Sequence, residues 1–139
     1  MPLVEIVPGR LWQCGIADAA ALTVGTEQWK TRGIRAVLCP AYNARLPYHE
    51  DLAVLALRID DHDSVPPAVF DLAVAFHQAC GPTLVHCHGG VNRSAVFAAA
   101  IGSTLGVYPF ARVFTLLNAV PSGTLVASLE RWLLTKGQP

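Results

Sequence analysis

At 139 residues the chain suits one domain, spanning 1–139, with a single continuous core. Apolar residues make up 53% and charged residues only 14%, which excludes a disordered segment. Ten Lys+Arg balance ten Asp+Glu, so the chain has no bulk attraction for nucleic acid or an anionic membrane.

Residues 3–7 and 10–14, on either side of Pro8-Gly9, read as short strands around a turn. The opening stretch MPLVEIVPGR has neither a basic n-region nor an apolar h-region, so no secretory leader is expected. Asp18 is placed to cap a helix running to about residue 32, which Gly33 would end. Residues 34–39 form an apolar strand, and 40–51 mix aromatic and charged residues without period, as an exposed loop does. Residues 52–59 are nearly all apolar, the pattern of a strand covered on both faces. Pro66-Pro67 then opens a helix in which Val69, Phe70, Leu72, Ala73, Phe76 and Cys80 recur at helical spacing. Gly81-Pro82 stops it, residues 83–86 make a short strand, and helix resumes from Ser94. Two more helices are expected at about 109–118 and 124–135. Gly102, Gly106, Pro109 and Arg112 interrupt the most apolar stretch, 95–117, which therefore reads as two buried helices and not a membrane span. Strands alternating with helices predict an α/β fold. Its central sheet would be mostly parallel, of about four to five strands, flanked by helices.

Four scattered cysteines (Cys14, Cys39, Cys80 and Cys87) form no C-x-x-C pair and read as free thiols of a reducing, cytoplasmic compartment. The most informative segment is residues 86–94, HCHGGVNRS: a thiol at a strand end, a Gly-containing loop, an Arg and a helix start. Inward-turned backbone N–H groups of such a loop make an anion nest, and Gly89 and Gly90 permit the turn. Arg93 can fold back and grip two phosphate oxygens with its planar fork. That positive surrounding favours the thiolate form of Cys87, the nucleophilic one. Taken alone, Cys87 is a small buried residue and Gly89-Gly90 a turn. The coincidence of thiol, glycines, Arg and Ser on one strand–loop–helix favours a phosphate site.

The segment resembles the H-C-x-x-G-x-x-R-[S/T] signature of the protein tyrosine phosphatase superfamily. IVPGRLWQCG, residues 33–38 and LALRIDD are similar to strands of its dual-specificity branch, and residues 121–132 to the last helix. Nearly the whole chain is covered, and the resemblance implies a dual-specificity phosphatase-like fold. It further implies that Cys87 is the nucleophile of a cysteinyl-phosphate intermediate and that Arg93 binds the phosphoryl group. His88, Gly89, Gly90, Val91 and Asn92 would line the phosphate loop. Ser94 would hydrogen-bond the Cys87 sulfur and help it leave when water attacks. His86 would orient the loop without acting as a base. The implied substrate is a phosphorylated protein or peptide, with no metal, no organic cofactor and no membrane.

A phosphate ester needs its leaving oxygen protonated, and an Asp on a neighbouring loop is the usual source. Asp60, Asp61 and Asp63 cluster there; the family pattern Ile59-x-Asp61 favours Asp61, with Asp60 second and Asp63 third, the last more a helix cap than an acid. His62, His86 and His88 beside Cys87 invite a metal reading, yet neighbours in a tight segment diverge and no i, i+4 His pair supports them. Tyr42, Arg45, Tyr48 and His49 could wall the pocket, and Cys39 or Cys80 could approach Cys87 as a redox partner. Asn92 is similar to the loop of RNA 5′-triphosphatases of the same superfamily. That enzyme is the alternative reading and the one case that implies nucleic acid. A non-catalytic phospho-binding module is the third, opposed by the intact Cys87, Arg93 and Ser94. The loop carries no Lys, which lowers a lipid reading. Pro121-Ser122 replaces the Pro-Asn of many relatives, so a supporting hydrogen bond is expected to be replaced or lost.

Overall fold

The computed structural model describes residues 3–88 and 92–137. Five strands form one sheet: β1 (Val4–Val7), β2 (Leu11–Cys14), β3 (Ala36–Cys39), β4 (Ala53–Ala56) and β5 (Thr83–His86). Their spatial order is β1-β2-β5-β3-β4, with β1 antiparallel to β2 and every other pair parallel. The helices are α1 (Ile16–Thr23), α2 (Gln28–Arg32), α3 (Pro67–Cys80), α4 (Arg93–Thr104), α5 (Ala111–Leu117) and α6 (Gly123–Thr135). A mostly parallel sheet flanked by helices is the architecture that the alternating sequence pattern predicts.

Period-two alternation divides the strands between two apolar layers. Leu11, Leu38 and Val85 face the larger layer, where α3–α6 supply Phe70, Phe97, Ile101, Val113, Leu125 and Trp132. Trp12, Val37 and Leu84 face the smaller one with Leu22 of α1 and Trp29 of α2. Helix α4 is buried from Ser94 to Ser103 on all sides, so it runs through the core and not over it. Its alanines at 95, 98, 99 and 100 let neighbouring elements approach closely. The Phe70 ring packs 5.0 Å from Phe97 and 5.7 Å from Trp132, tying α3, α4 and α6 together. Emptying that junction by Phe97→Ala would cost about 3–5 kcal/mol.

Three expectations are corrected. The helix expected from Asp18 to residue 32 is two helices, broken where Gly25 takes φ +63°. Its first half starts at Ile16, with Asp18 inside the first turn and not at the cap, while Gly33 does end the second half at φ +84°. The strand expected over 52–59 is shorter. As the sheet's edge, β4 is half-buried at every residue and not covered on both faces. The loop at 40–51 is not uniformly exposed, because a short 3-10 turn at Tyr42–Ala44 buries Ala41 and Ala44. No helix among the described residues is long and apolar enough to cross a membrane.

Candidate active site

In an open parallel sheet the strand carboxyl ends converge on one edge, where ligands bind. Cys87 follows β5 at that edge, 2% exposed, and Arg93 opens α4 from the other side of the connecting loop. Gly89, Gly90 and Val91, expected to cradle phosphate, lie outside the described residues. Of the loop's flanks, His88 is exposed, and its carbonyl accepts from the Ile16 N–H at 3.3 Å, fastening the loop to the start of α1. Asn92 precedes α4 and makes no side-chain cap.

Ser94 is the sequence-predicted partner in hydrogen-bond contact with Cys87. The Cys87 Sγ lies 3.3 Å from the Ser94 hydroxyl, and both groups are buried. A thiol donates across this contact; once the sulfur is a thiolate the hydroxyl donates instead. Arg93 reaches the opposite way, its Nη1 donating to the Ile59 carbonyl at 3.1 Å. Its Nε is 3.1 Å from Asp61 Oδ1, but it makes no aligned hydrogen bond there, so the attraction of full charges holds the pair. Arg93 thus bridges the start of α4 to the loop carrying Asp61.

That loop is pinned by three borrowed hydroxyl and carboxylate contacts. Ser122 donates to the Asp61 carbonyl at 2.5 Å and caps α6 by accepting from the Leu125 N–H at 3.4 Å. The support that Pro-Asn gives in relatives is therefore replaced by Ser122 and not lost. Ser128 accepts from the Val65 N–H at 2.9 Å. Asp63 accepts from the Asp60 N–H at 2.9 Å, so its role is to close the Asp60–Asp63 turn and not to cap α3, whose N-cap is Pro66. Of the three carboxylates, Asp61 pairs with Arg93 across the site.

His86 has no exposure, and its Nε2 shares a 2.6 Å hydrogen bond with the Tyr48 hydroxyl. Burial pushes the imidazole down to about 4 and the Tyr48 phenol above its ordinary range. Both partners are therefore uncharged at neutral pH, and the pair orients the strand end behind Cys87 without taking a proton. Tyr48, expected as a pocket wall, packs edge-on against His86 at 5.8 Å. His49 packs against Trp29 at 5.2 Å, and Tyr42 stacks under Arg58 at 4.9 Å. Cys39 packs in one cluster with Cys87, whereas Cys80 lies at the far end of α3. Burial raises the Cys39 thiol and pushes that of Cys14 up to about 12, keeping both as thiols.

The sequence reading missed Gln13, fully buried in β2, whose Nε2 donates to the Ser94 Oγ at 2.9 Å. A polar residue inside the apolar LWQC strand was the available signal.

No family model and no curated protein matches this chain. Solved structures do. DUSP15 superposes with a TM-score of 0.79 at 21% identity, over 98% of this chain and 90% of that one. Human DUSP28 gives 0.79 at 21% identity, covering 99% and 96% of the two chains. The human tyrosine phosphatase-like serine/threonine/tyrosine-interacting protein gives 0.75 at 23% identity, covering 96% and 97%. The fold of this chain is that of the small dual-specificity phosphatases.

Proposed function

We propose that this chain is a cysteine-dependent phosphomonoester hydrolase of the protein tyrosine phosphatase superfamily, acting on phosphotyrosine and on phosphoserine or phosphothreonine in proteins. The observation that carries the reading is the convergence of Cys87, Ser94, Arg93 and Asp61, drawn from β5, α4 and the loop after β4. The solved structures named above are phosphatases or phosphatase-like proteins, which supports it.

In the first step the Cys87 thiolate attacks phosphorus, the ester P–O bond breaks, and the leaving oxygen takes a proton from Asp61. The incoming phosphate takes over Arg93 from Asp61, so its charge, and not the carboxylate's, faces the guanidinium. Asp61 is then free to carry the proton it donates. Arg93 and the loop amides hold the equatorial oxygens as charge spreads over them. In the second step Asp61, now a carboxylate, takes a proton from water as the water attacks phosphorus. The S–P bond breaks, its electron pair returns to sulfur, and the Ser94 hydroxyl stabilises the thiolate. All described cysteines are free thiols, which suits the reducing cytoplasm proposed as its location.

Turnover of an aryl phosphate without added metal, followed by a panel of phosphotyrosine, phosphoserine and phosphothreonine peptides and triphosphate-ended RNA, tests the reading. Hydrolysis of the peptides in preference to the RNA is expected. Preference for the RNA would replace the proposed substrate class, and binding without turnover would make the chain a phospho-binding module.

A further inference from the structure

Alternation along β2 sends Leu11 and residue 13 toward α4, where the layer is mostly hydrocarbon. The chain places an amide there, and burying one without partners would cost about 1–3 kcal/mol. Gln13 has no exposure, and its Nε2 donates to the Cys14 carbonyl at 3.3 Å and to the Ser94 Oγ at 2.9 Å. A carbonyl only accepts, so the contact with Cys14 fixes which end of the amide is nitrogen. Ser94 must therefore accept from Gln13. A hydroxyl has one proton, and with one lone pair taken that proton is directed elsewhere. The Cys87 Sγ stands 3.3 Å away.

We propose that Gln13 is a positioning residue for the cysteine chemistry, aiming the Ser94 O–H at the Cys87 thiolate from a strand far away in sequence. The inference rests on the reading of Cys87 as nucleophile, and it adds a part that the signature segment does not contain. Gln13 touches neither substrate nor sulfur and acts through Ser94. Its effect falls on the two states in which sulfur carries charge: the free thiolate and the thiolate leaving phosphorus in the second step. A glutamate of the same shape would invert the geometry, since its carboxylate accepts the Ser94 proton and turns it away from sulfur.

The test uses Gln13→Met and Gln13→Glu, each with and without Ser94→Ala, and reads two quantities. The first is the rate of Cys87 alkylation by iodoacetamide across pH, which requires no turnover. Gln13→Met is expected to slow alkylation at neutral pH by about three- to tenfold, with the rates converging at high pH, and Gln13→Glu to slow it more. The second is kcat on an activated aryl phosphate, expected to fall by a similar factor as release from phosphorus becomes limiting. In the Ser94→Ala background Gln13→Met should add nothing to either loss. A folded Gln13→Met protein with the wild-type alkylation profile, or one whose loss persists undiminished with Ser94→Ala, overturns the proposal. A wild type that alkylates as described yet hydrolyses no phosphomonoester would sink the proposed function and leave the role of Gln13 standing.

Discussion

Cys87 follows a strand buried at every residue and precedes a helix buried from Ser94 to Ser103, whereas Asp61 sits half-exposed with Asp60 and His62 exposed beside it. Cys87 is thus set at the end of the packed sheet beside α4. The loop carrying Asp61 is held by the Ser122 hydroxyl donating to the Asp61 carbonyl, by the Val65 and Asp60 N–H groups donating to Ser128 and Asp63, and by the ion pair of Asp61 with Arg93. Under the proposed function this gives a rigid half, which fixes the Cys87 thiolate, and an adjustable half, the Asp61 loop, which yields as phosphate takes over Arg93. Removing parts from each half should therefore give unlike kinetic signatures.

The largest expected effect short of losing the nucleophile is at Arg93, the residue shared by both halves. Arg93→Lys supplies a point charge in place of a fork and loses the bond to the Ile59 carbonyl. We expect kcat/KM to fall about a hundredfold or more on every substrate. Near-normal kcat/KM would show that bidentate contact is not required.

Asp61→Asn confines its effect to the adjustable half. A general acid matters for a poor leaving group and little for one already stable as the anion, so phosphotyrosine hydrolysis should fall about 10²-fold or more while a highly activated aryl phosphate is nearly spared. The alkaline limb of the pH–rate profile should disappear with it. Asp60→Asn should retain that limb, and so should Asp63→Asn, which loosens the turn only. Should Asp60→Asn remove the limb instead, the acid would lie one residue earlier.

Ser122→Ala should imitate Asp61→Asn more weakly, by several-fold, because it frees the loop without removing the acid. It also removes the α6 cap, worth about 1 kcal/mol. Ser122→Asn should restore the activity, since its side chain both caps and donates. Equal losses on good and poor leaving groups would mean that Ser122 supports the helix alone.

The smallest effect lies behind the rigid half and shows in stability. His86 titrates near 6.5 unfolded and is pushed down to about 4 in the folded chain by burial. Between these values the unfolded state binds the extra proton, so stability rises with pH across that window and is lost on acidification. The loss is at most on the order of 3 kcal/mol. His77, lowered for the same reason, adds in the same direction. Urea midpoints should fall from pH 6.5 to 4 in the wild type and less steeply in His86→Asn. A flat wild-type curve would contradict a buried neutral imidazole.

The rigid half was the more legible in sequence, and the physics explains why. Cys87, Arg93 and Ser94 lie within one short stretch of sequence, so reading them together needs no long-range pairing. Asp61 was recoverable only as one of three acidic neighbours, because its pairing with Arg93 depends on how the sheet closes over a span of more than thirty residues. Tyr48 was singled out as a pocket-wall candidate but not as the partner of His86, a contact between the loop before β4 and the end of β5. Gln13 carried its own signal, a polar residue where alternation demands an apolar one, yet its partner lies 81 positions away. The break at Gly25 was hidden because a left-handed residue inside an apolar pattern is invisible to periodicity.

The central claim, that Cys87 is the phosphoryl acceptor, is tested most directly by trapping. Wild-type protein mixed with an activated aryl phosphate and quenched in acid within the first turnover should carry one phosphoryl group, located by peptide mass spectrometry on Cys87. Cys87→Ser should show no turnover while still binding vanadate, because the loop and Arg93 survive the substitution. Undiminished hydrolysis by Cys87→Ser, or a phosphoryl group trapped on any other residue, would contradict the account.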